Sequence, residues 1–225
     1  MDALLQRLLP NVDWLEIWQA CLDTLSMLGG SLLFTVLFGL PLGVLLFVTG
    51  PRQMFENKAL YRVLSLLVNV LRSVPFVILL ILMIPLTVLI TGTSLGVAGA
   101  IPPLVVGATP FFARLVETAL REVDRGIIEA TQAMGATTLQ IIFRALLPEA
   151  LPGIWAAITV TAITLVSYTA MSGLIGGGGL GDLAVRYGYQ RYQPDVMAVT
   201  VILLLILVQV LQTTGDKLVV HFSRK

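Results

Sequence analysis

The stretch Glu129 to Gly153, EATQAMGATTLQIIFRALLPEALPG, lies between two groups of membrane-length apolar segments and cannot itself cross a bilayer. From Arg125 to Met134 its spacing places Ile127, Ile128, Thr131 and Met134 on one helical stripe, with Arg125, Glu129 and Gln132 elsewhere. Gly135 then interrupts the pattern, as glycine does where a helix ends or turns. Thr137 and Gln140 have the spacing of a capping box, in which each side chain satisfies a free N–H at the start of a new helix. In that second helix Leu139, Ile142, Phe143, Leu146 and Leu147 form a full apolar stripe, and Pro148 stops or kinks it. Two short helices meeting at an angle at Gly135 suit a loop that must dock as a rigid body.

Working outward, apolar residues make up 57% of the chain and charged residues only 12%, against about 25% charged in soluble domains. That balance defines an integral membrane protein before any motif is considered. Its expected surroundings are membrane lipid, and a net charge of +1 gives no reason to expect nucleic acid. Cys21 is alone, so no internal disulfide is expected, and no Cys or His cluster suggests a metal. Asp13 and Glu16 stand where an apolar signal core would have to be, which argues against a cleavable signal peptide and against a lipoprotein reading of Cys21.

Residues 1–23 read as an interfacial segment, with Leu4, Leu5, Leu8 and Leu9 scattered along it and Trp14 and Trp18 at headgroup level. A single membrane domain is expected over 24–216, with its docking region at about 122–148 and a basic tail at 217–225. The first span runs from about Leu25 to Val48, since roughly 20 residues cross the hydrocarbon, and Gly29, Gly30, Gly39 and Gly43 permit close helix contact. Pro51 ends it, and Arg52 to Arg62 form a short basic loop.

The apolar stretch Val63 to Ile90 is too long for one straight span and contains Asn69, Arg72 and Pro75. Either Arg72 lies at the cytoplasmic edge and Val74 to Ile90 spans, or the helix starts near Leu60 and Arg72 is held inside the bundle. Leu95 to Val116 is the third span, with kinks expected at Pro102, Pro103 and Pro110. The fourth runs from about Ala150 to Met171, and a glycine-rich loop with Tyr187, Tyr189 and Tyr192 follows from Gly173 to Pro194. Val196 to Thr213 is the fifth, followed by Lys217, His221, Arg224 and Lys225; His221 is expected to be a solvated surface residue.

Five spans put the termini on opposite sides. With the N-terminus outside, the inner loops and tail hold Arg52, Lys58, Arg62, Arg114, Arg121, Arg125, Arg144, Lys217, Arg224 and Lys225. Only Arg7, Arg186 and Arg191 are then outside. Lysine and arginine favour the cytoplasmic side, so the expected topology is N-out, C-in, with the 117–149 loop cytoplasmic. Arg114 and Glu117, three apart, read as a local pair at the inner end of the third span, and no Asp or Glu falls inside any of the expected spans.

Glu129-Ala130-Thr131, then Gly135, then Leu147-Pro148 resembles the EAA motif of bacterial ABC importer permeases, which reads E-A-A-x3-G-x9-I-x-L-P. Thr131 replaces the second alanine and Ala145 the usual isoleucine; neither is charged. Arg72-Ser73-Val74-Pro75-Phe76, Met83-Ile84-Pro85, Gly92-Thr93-Ser94, Leu146 to Gly153, and Gly179-Leu180-Gly181 with Tyr187-Gly188-Tyr189 extend the resemblance to the methionine importer permease family, from about residue 24 to the C-terminus. The resemblance implies an all-α fold of five transmembrane helices with cytoplasmic coupling helices, of the type I importer kind, in the bacterial inner membrane. It implies a homodimer that binds two copies of a cytoplasmic ABC ATPase and receives methionine or its derivatives from a methionine-binding lipoprotein.

Glu129, Ala130, Thr131, Met134, Gly135, Ala136, Leu147 and Pro148 would then couple to the ATPase. The stripe from Leu139 to Leu147 would pack on the permease body. Tyr168, Met171 and Ser172 would line an outer gate, where a phenol and a thioether suit a methionine side chain; ordinary helix packing is the competing reading. Arg72, Ser73 and Pro75 would be structural residues in or at the edge of the membrane. No phosphate-binding G-x4-G-K-[ST] is present, so ATP and Mg2+ would belong to the partner and no cofactor to this chain.

The glycine cluster Gly176 to Gly181 reads either as a flexible outer element near the pore mouth or as a close-packed turn at the dimer interface. No side-chain set suggests catalysis. The alternatives are an importer of another small solute, such as a quaternary amine or sulfonate, and an ATP-independent channel or secondary transporter, which intramembrane acids would favour.

Overall fold

The computed structural model describes residues 9–223, all of whose regular elements are helical. Leu4, Leu5, Leu8 and Arg7 of the expected interfacial segment, and Arg224 and Lys225 of the basic tail, lie outside the described residues.

Helix α1 covers Trp14–Thr49. The expected interfacial segment and first span are therefore one uninterrupted helix from Trp14 onward, which carries Pro41 and four glycines in its interior. After a turn at 50–57, α2 covers Lys58–Ser73, so Lys58 to Arg62 belong to a helix rather than a loop. Asn57 caps it by accepting from the Leu60 N–H at 3.0 Å. Helix α3 covers Phe76–Thr91 and ends at Gly92, whose φ of 77° is the left-handed conformation that closes a helix. A bend of 107° separates α2 from α3. It falls at Pro75, which cannot donate into a continuing helix.

Arg72 thus sits in the last turn of α2, exposed, with its guanidinium 5.9 Å from the Phe111 ring centre. A single helix running past Arg72 is excluded.

Helix α4 covers Gly96–Arg121 and carries Pro102, Pro103 and Pro110 without interruption. Then come α5 (Arg125–Ala133), α6 (Thr138–Ile141), a π-helical segment (Ile142–Leu146), α7 (Leu147–Glu149) and α8 (Leu151–Ser172). The Gly173–Pro194 region is largely helical, correcting the expected loop. It holds a 3-10 turn at Gly173–Ile175, α9 (Gly179–Leu183) and a second π-helical segment, Ala184–Tyr189. The final helix, α10, covers Pro194–Ser223, so the described part of the basic tail is helical as well. His221 is exposed there, with its ring edge-on to Phe222.

Among the described residues, four helices are long and apolar enough to cross a membrane: α1, α4, Leu151–Ile175 and α10. The bent α2–α3 pair brings the number to five if it counts as one span.

The chain forms two compact units. One comprises the described residues up to Phe34, Pro75–Gly107 and Ala162–Leu211. Its glycine segment is close-packed. The Leu180 N–H donates to Thr24 Oγ1 at 2.9 Å, and a methyl group on Gly179 would lie 2.6 Å from that same oxygen. Gly176, Gly178 and Gly179 have φ near +80°, so the glycines permit a tight path against α1. The packing around Gly179 and Leu180 is that of a close-packed turn, formed against α1 of the same chain.

The other unit comprises Thr35–Val74, Ala108–Thr161 and the described residues from Gln212. Its core joins Phe47, Phe112, Val116, Leu120, Ile128, Ile141, Ile142 and Leu146. In it α1 crosses α4 at Gly39 and Gly43. A methyl group on Gly43 would stand 2.6 Å from Val116 Cβ and 2.7 Å from the Ala113 carbonyl oxygen. Small residues let the two backbones approach, as the glycine spacing predicts.

Candidate functional site

The segment from Asp124 to Glu149 is an elbow whose two arms are each closed by local hydrogen bonds. Asp124 starts α5 by accepting from the Gly126 N–H at 2.6 Å. The arm ends with Ala136 N–H donating to the Thr131 carbonyl at 3.2 Å and Gly135 N–H to the Gln132 carbonyl at 2.9 Å, the paired bonds of a Schellman motif. That motif needs a left-handed residue, and Gly135 supplies it with φ 78°. Two residues later the next arm starts with the expected capping box: Thr137 N–H donates to Gln140 Oε1 at 2.8 Å, and Gln140 N–H to Thr137 Oγ1 at 3.4 Å. Almost no unbonded linker remains, so the angle between the arms is set by backbone chemistry.

The buried face differs from the expected stripe. Ile141, Ile142 and Leu146 face the core, with Leu147 packed beside them, whereas Leu139 and Phe143 are 68% and 65% exposed. A regular helix would have put Leu139, Ile142, Phe143 and Leu146 together. The π turn at Ile142–Leu146, closed by Leu147 N–H to the Ile142 carbonyl, inserts an extra residue and rotates the face, so that Ile141 and Leu146, five apart, align. Pro148 follows that widened turn, and the helix breaks at Ala150 rather than at the proline.

On the outer side of the elbow Glu129, Ala130, Gly135 and Pro148 are exposed, and Met134 is 78% exposed. Thr131, Ala136 and Leu147 are half-buried. The Thr131 hydroxyl donates back to the Ile127 and Ile128 carbonyls, both at 2.9 Å, so it is satisfied within its own helix. Ala145 is half-buried inside the π segment. Beside α5, the turn after α1 and the helix enclose a cleft of about 200 Å3 lined by Arg52, Gln53, Met54, Arg125, Ile128, Glu129 and Gln132.

A second constellation supports the elbow. Glu117, near the end of α4, is only 3% exposed. It pairs with Arg114 at 2.5 Å and with Arg121 at 2.7 Å, and Tyr61 Oη donates to it at 3.2 Å. Arg114 also donates to the Ser65 carbonyl and hydroxyl and to Asn69 Oδ1. The expected Arg114–Glu117 pair is present, but as part of a buried network that bolts α2 to the end of α4. Glu117 stands just past the expected end of the third span at Val116, on the same helix, which runs on to Arg121. The signal was available: Tyr61, Ser65 and Asn69 form a polar stripe at helical spacing, and Arg121 lies four after Glu117.

The expected gate residues divide. The Tyr168 ring stacks on Phe76 with centroids 3.9 Å apart. Ser172 is fully buried, donating to the Thr169 carbonyl at 2.7 Å with its hydroxyl 3.7 Å from Met27 sulfur; it offers nothing to a passing solute from this position. Met171 is 40% exposed and alone of the three presents an open side chain. Met171→Arg is expected to abolish uptake while the chain still assembles in the membrane. Transport assays beside pull-downs check this, and unchanged uptake removes Met171 from the pathway. Ser73 bonds back to the Asn69 carbonyl at 2.8 Å, and the Pro75 carbonyl accepts from the Leu79 N–H at 3.0 Å. Among the described residues, no three His, Cys, Asp or Glu side chains are grouped to hold a metal.

Residues 39–225 match the family of binding-protein-dependent transport system inner membrane components, and the chain belongs to it. It is 50% identical over 217 residues, 96% of this chain and 93% of the relative, to the probable D-methionine transport system permease protein MetI of Vibrio cholerae. It is 48% identical over 211 residues, 94% of this chain and 95% of the relative, to the methionine import system permease protein MetP of Bacillus subtilis. Among solved structures, a chain of the inward-facing MetNI methionine ABC transporter superposes with a TM-score of 0.91 at 51% identity, covering 93% of this chain and 97% of that one.

Proposed function

We propose that this chain is the permease subunit of an ATP-driven importer that carries methionine and related derivatives across the bacterial inner membrane. It performs no chemistry: ATP hydrolysis belongs to a separate subunit, and the permease contributes the relative stability of its inward- and outward-facing states. Two copies form the pathway, with five spans each, N-terminus outside and C-terminus inside. The bent α2–α3 pair supplies the span that length alone does not.

The coupling surface is the exposed side of the elbow, Glu129, Ala130, Met134 and Gly135, with Thr131, Ala136, Leu147 and Pro148 around it. The observation that carries this reading is the combination of motif and mechanics. The motif spacing falls on an elbow capped at both ends, with its inner face in the core and its outer face open. A joint of this kind passes displacement from a docked subunit into α4 and α8 without dissipating it. A periplasmic methionine-binding lipoprotein is the expected donor of substrate.

The test is Glu129→Trp, which places a bulky ring on the exposed face. Methionine uptake is expected to fall by at least about tenfold, equivalent to about 1.4 kcal/mol, and ATPase co-purification to fall with it, while the amount of permease in the membrane is unchanged. Wild-type uptake and wild-type ATPase retention would refute the assignment. Transport by the purified chain in liposomes with no ATPase present would instead favour a channel or secondary transporter.

A further inference from the structure

The turn that joins α1 to α2 has a feature that the coupling motif does not account for. Arg52 has φ 61°, the left-handed region that L side chains rarely adopt, although glycine or asparagine would fit there with less strain. The turn is held in that form by several bonds. Phe55 N–H donates to the Val48 carbonyl at 3.0 Å, Asn57 N–H to the Thr49 carbonyl at 3.1 Å, and Arg52 N–H to Glu56 Oε2 at 2.9 Å. That last bond, together with Lys58, holds the Glu56 carboxyl below its ordinary range. Met54 packs on the core and anchors the turn from beneath. The result places Arg52 on the wall of the cleft of about 200 Å3, together with Arg125 and the motif carboxylate Glu129.

We propose that this turn is a second docking element. Arg52 and Arg125 together hold a carboxylate side chain of the same cytoplasmic ATPase subunit that receives the coupling elbow. The inference rests on that reading of the elbow and extends it. The cleft is continuous with the elbow's outer face through Glu129 and Gln132, so a subunit seated on one covers the other. Its size suits one or two side chains. Its charges, two guanidinium groups and one carboxylate, match a protein surface that offers both signs. Guanidinium forks bind carboxylates through two parallel bonds, which fixes the orientation of the docked subunit as well as holding it.

The experiment titrates the purified ATPase subunit onto the detergent-solubilised permease, unmodified and with Arg52→Gly or Arg52→Glu. Arg52→Gly removes the guanidinium and suits the left-handed backbone, so the permease should melt at no lower temperature. Its affinity for the ATPase is expected to drop by about tenfold, with Arg52→Glu weaker still. An Asp- or Glu-to-Lys change in the ATPase surface that meets the cleft should restore binding to Arg52→Glu but not to the unmodified chain. Unchanged affinity for both variants would overturn the proposal. So would a loss confined to binding of phosphatidylglycerol vesicles, which would assign the cleft to a lipid headgroup. Failure of the unmodified permease to bind the ATPase at all would instead overturn the reading of the elbow itself.

Discussion

Glu117→Ala is expected to destabilise the permease by about 3–5 kcal/mol, the range found when one partner of a buried ion pair is removed. The carboxylate lies between Arg114 and Arg121 and also accepts from Tyr61. Without it Arg114, whose side chain is mostly buried, keeps only Ser65 and Asn69, neither of which carries charge. Arg121 is more open to solvent and loses less. Glu117→Gln should cost less, because an amide oxygen still accepts from Tyr61 or one guanidinium N–H. Denaturant or thermal melts of the solubilised chain read the difference. A loss under about 1 kcal/mol for Glu117→Ala would mean that the network does not bolt α2 to α4.

Gly43→Leu should be nearly as damaging, for a different reason. The first added carbon already meets Val116 Cβ at 2.6 Å and the Ala113 carbonyl oxygen at 2.7 Å. The carbonyl belongs to a helix backbone and cannot yield as the far end of a side chain can. Overpacking costs about 1–3 kcal/mol even for smaller insertions, so little folded chain is expected after solubilisation, with Gly43→Ala intermediate. Gly29 lies on the same helix and has nothing within 4 Å of the equivalent position, so Gly29→Ala is the matched control. Equal recovery of Gly29→Ala and Gly43→Leu by size-exclusion chromatography would contradict a close crossing of α1 and α4.

In the coupling role proposed for the elbow, the two networks lie behind its docking face. Helix α4 runs from its crossing with α1, past Glu117, and within a few residues into α5. A displacement applied at Glu129 or Met134 therefore reaches a helix end that is pinned by packing at Gly43 and by charge at Glu117. The exposed outer face of the elbow is free to be selected for partner fit, and the buried inner face is not.

Local chemistry explains which parts were legible in sequence. The Gly135 bend and the Thr137–Gln140 box are made by hydrogen bonds between residues three to five apart, so their spacing is visible in the chain itself. The break before Phe76 was one of two readings that the sequence left open, and only the contacts with α4 single out Gly39 and Gly43 from Gly29. The glycine-rich segment left two readings open because glycine marks both mobile turns and close approaches; the contacts with Thr24 and Met27 show the close approach.

The stretch from Glu129 to Gly153 carries both lessons. Its existence, its two arms and their caps follow from the sequence alone, since short-range bonds and apolar content decide them. Which of its faces is buried was decided by tertiary structure, because a π turn rotates the register by packing Ile141 and Leu146 into a core built from α1 and α4. Tertiary structure also assembled the Glu117 network, whose Tyr61 partner is 56 positions away, and the cleft that joins Arg52 to Glu129. Periodicity records what a residue's own helix asks of it; a buried charge or a shifted face depends on a neighbour that only the folded chain brings near.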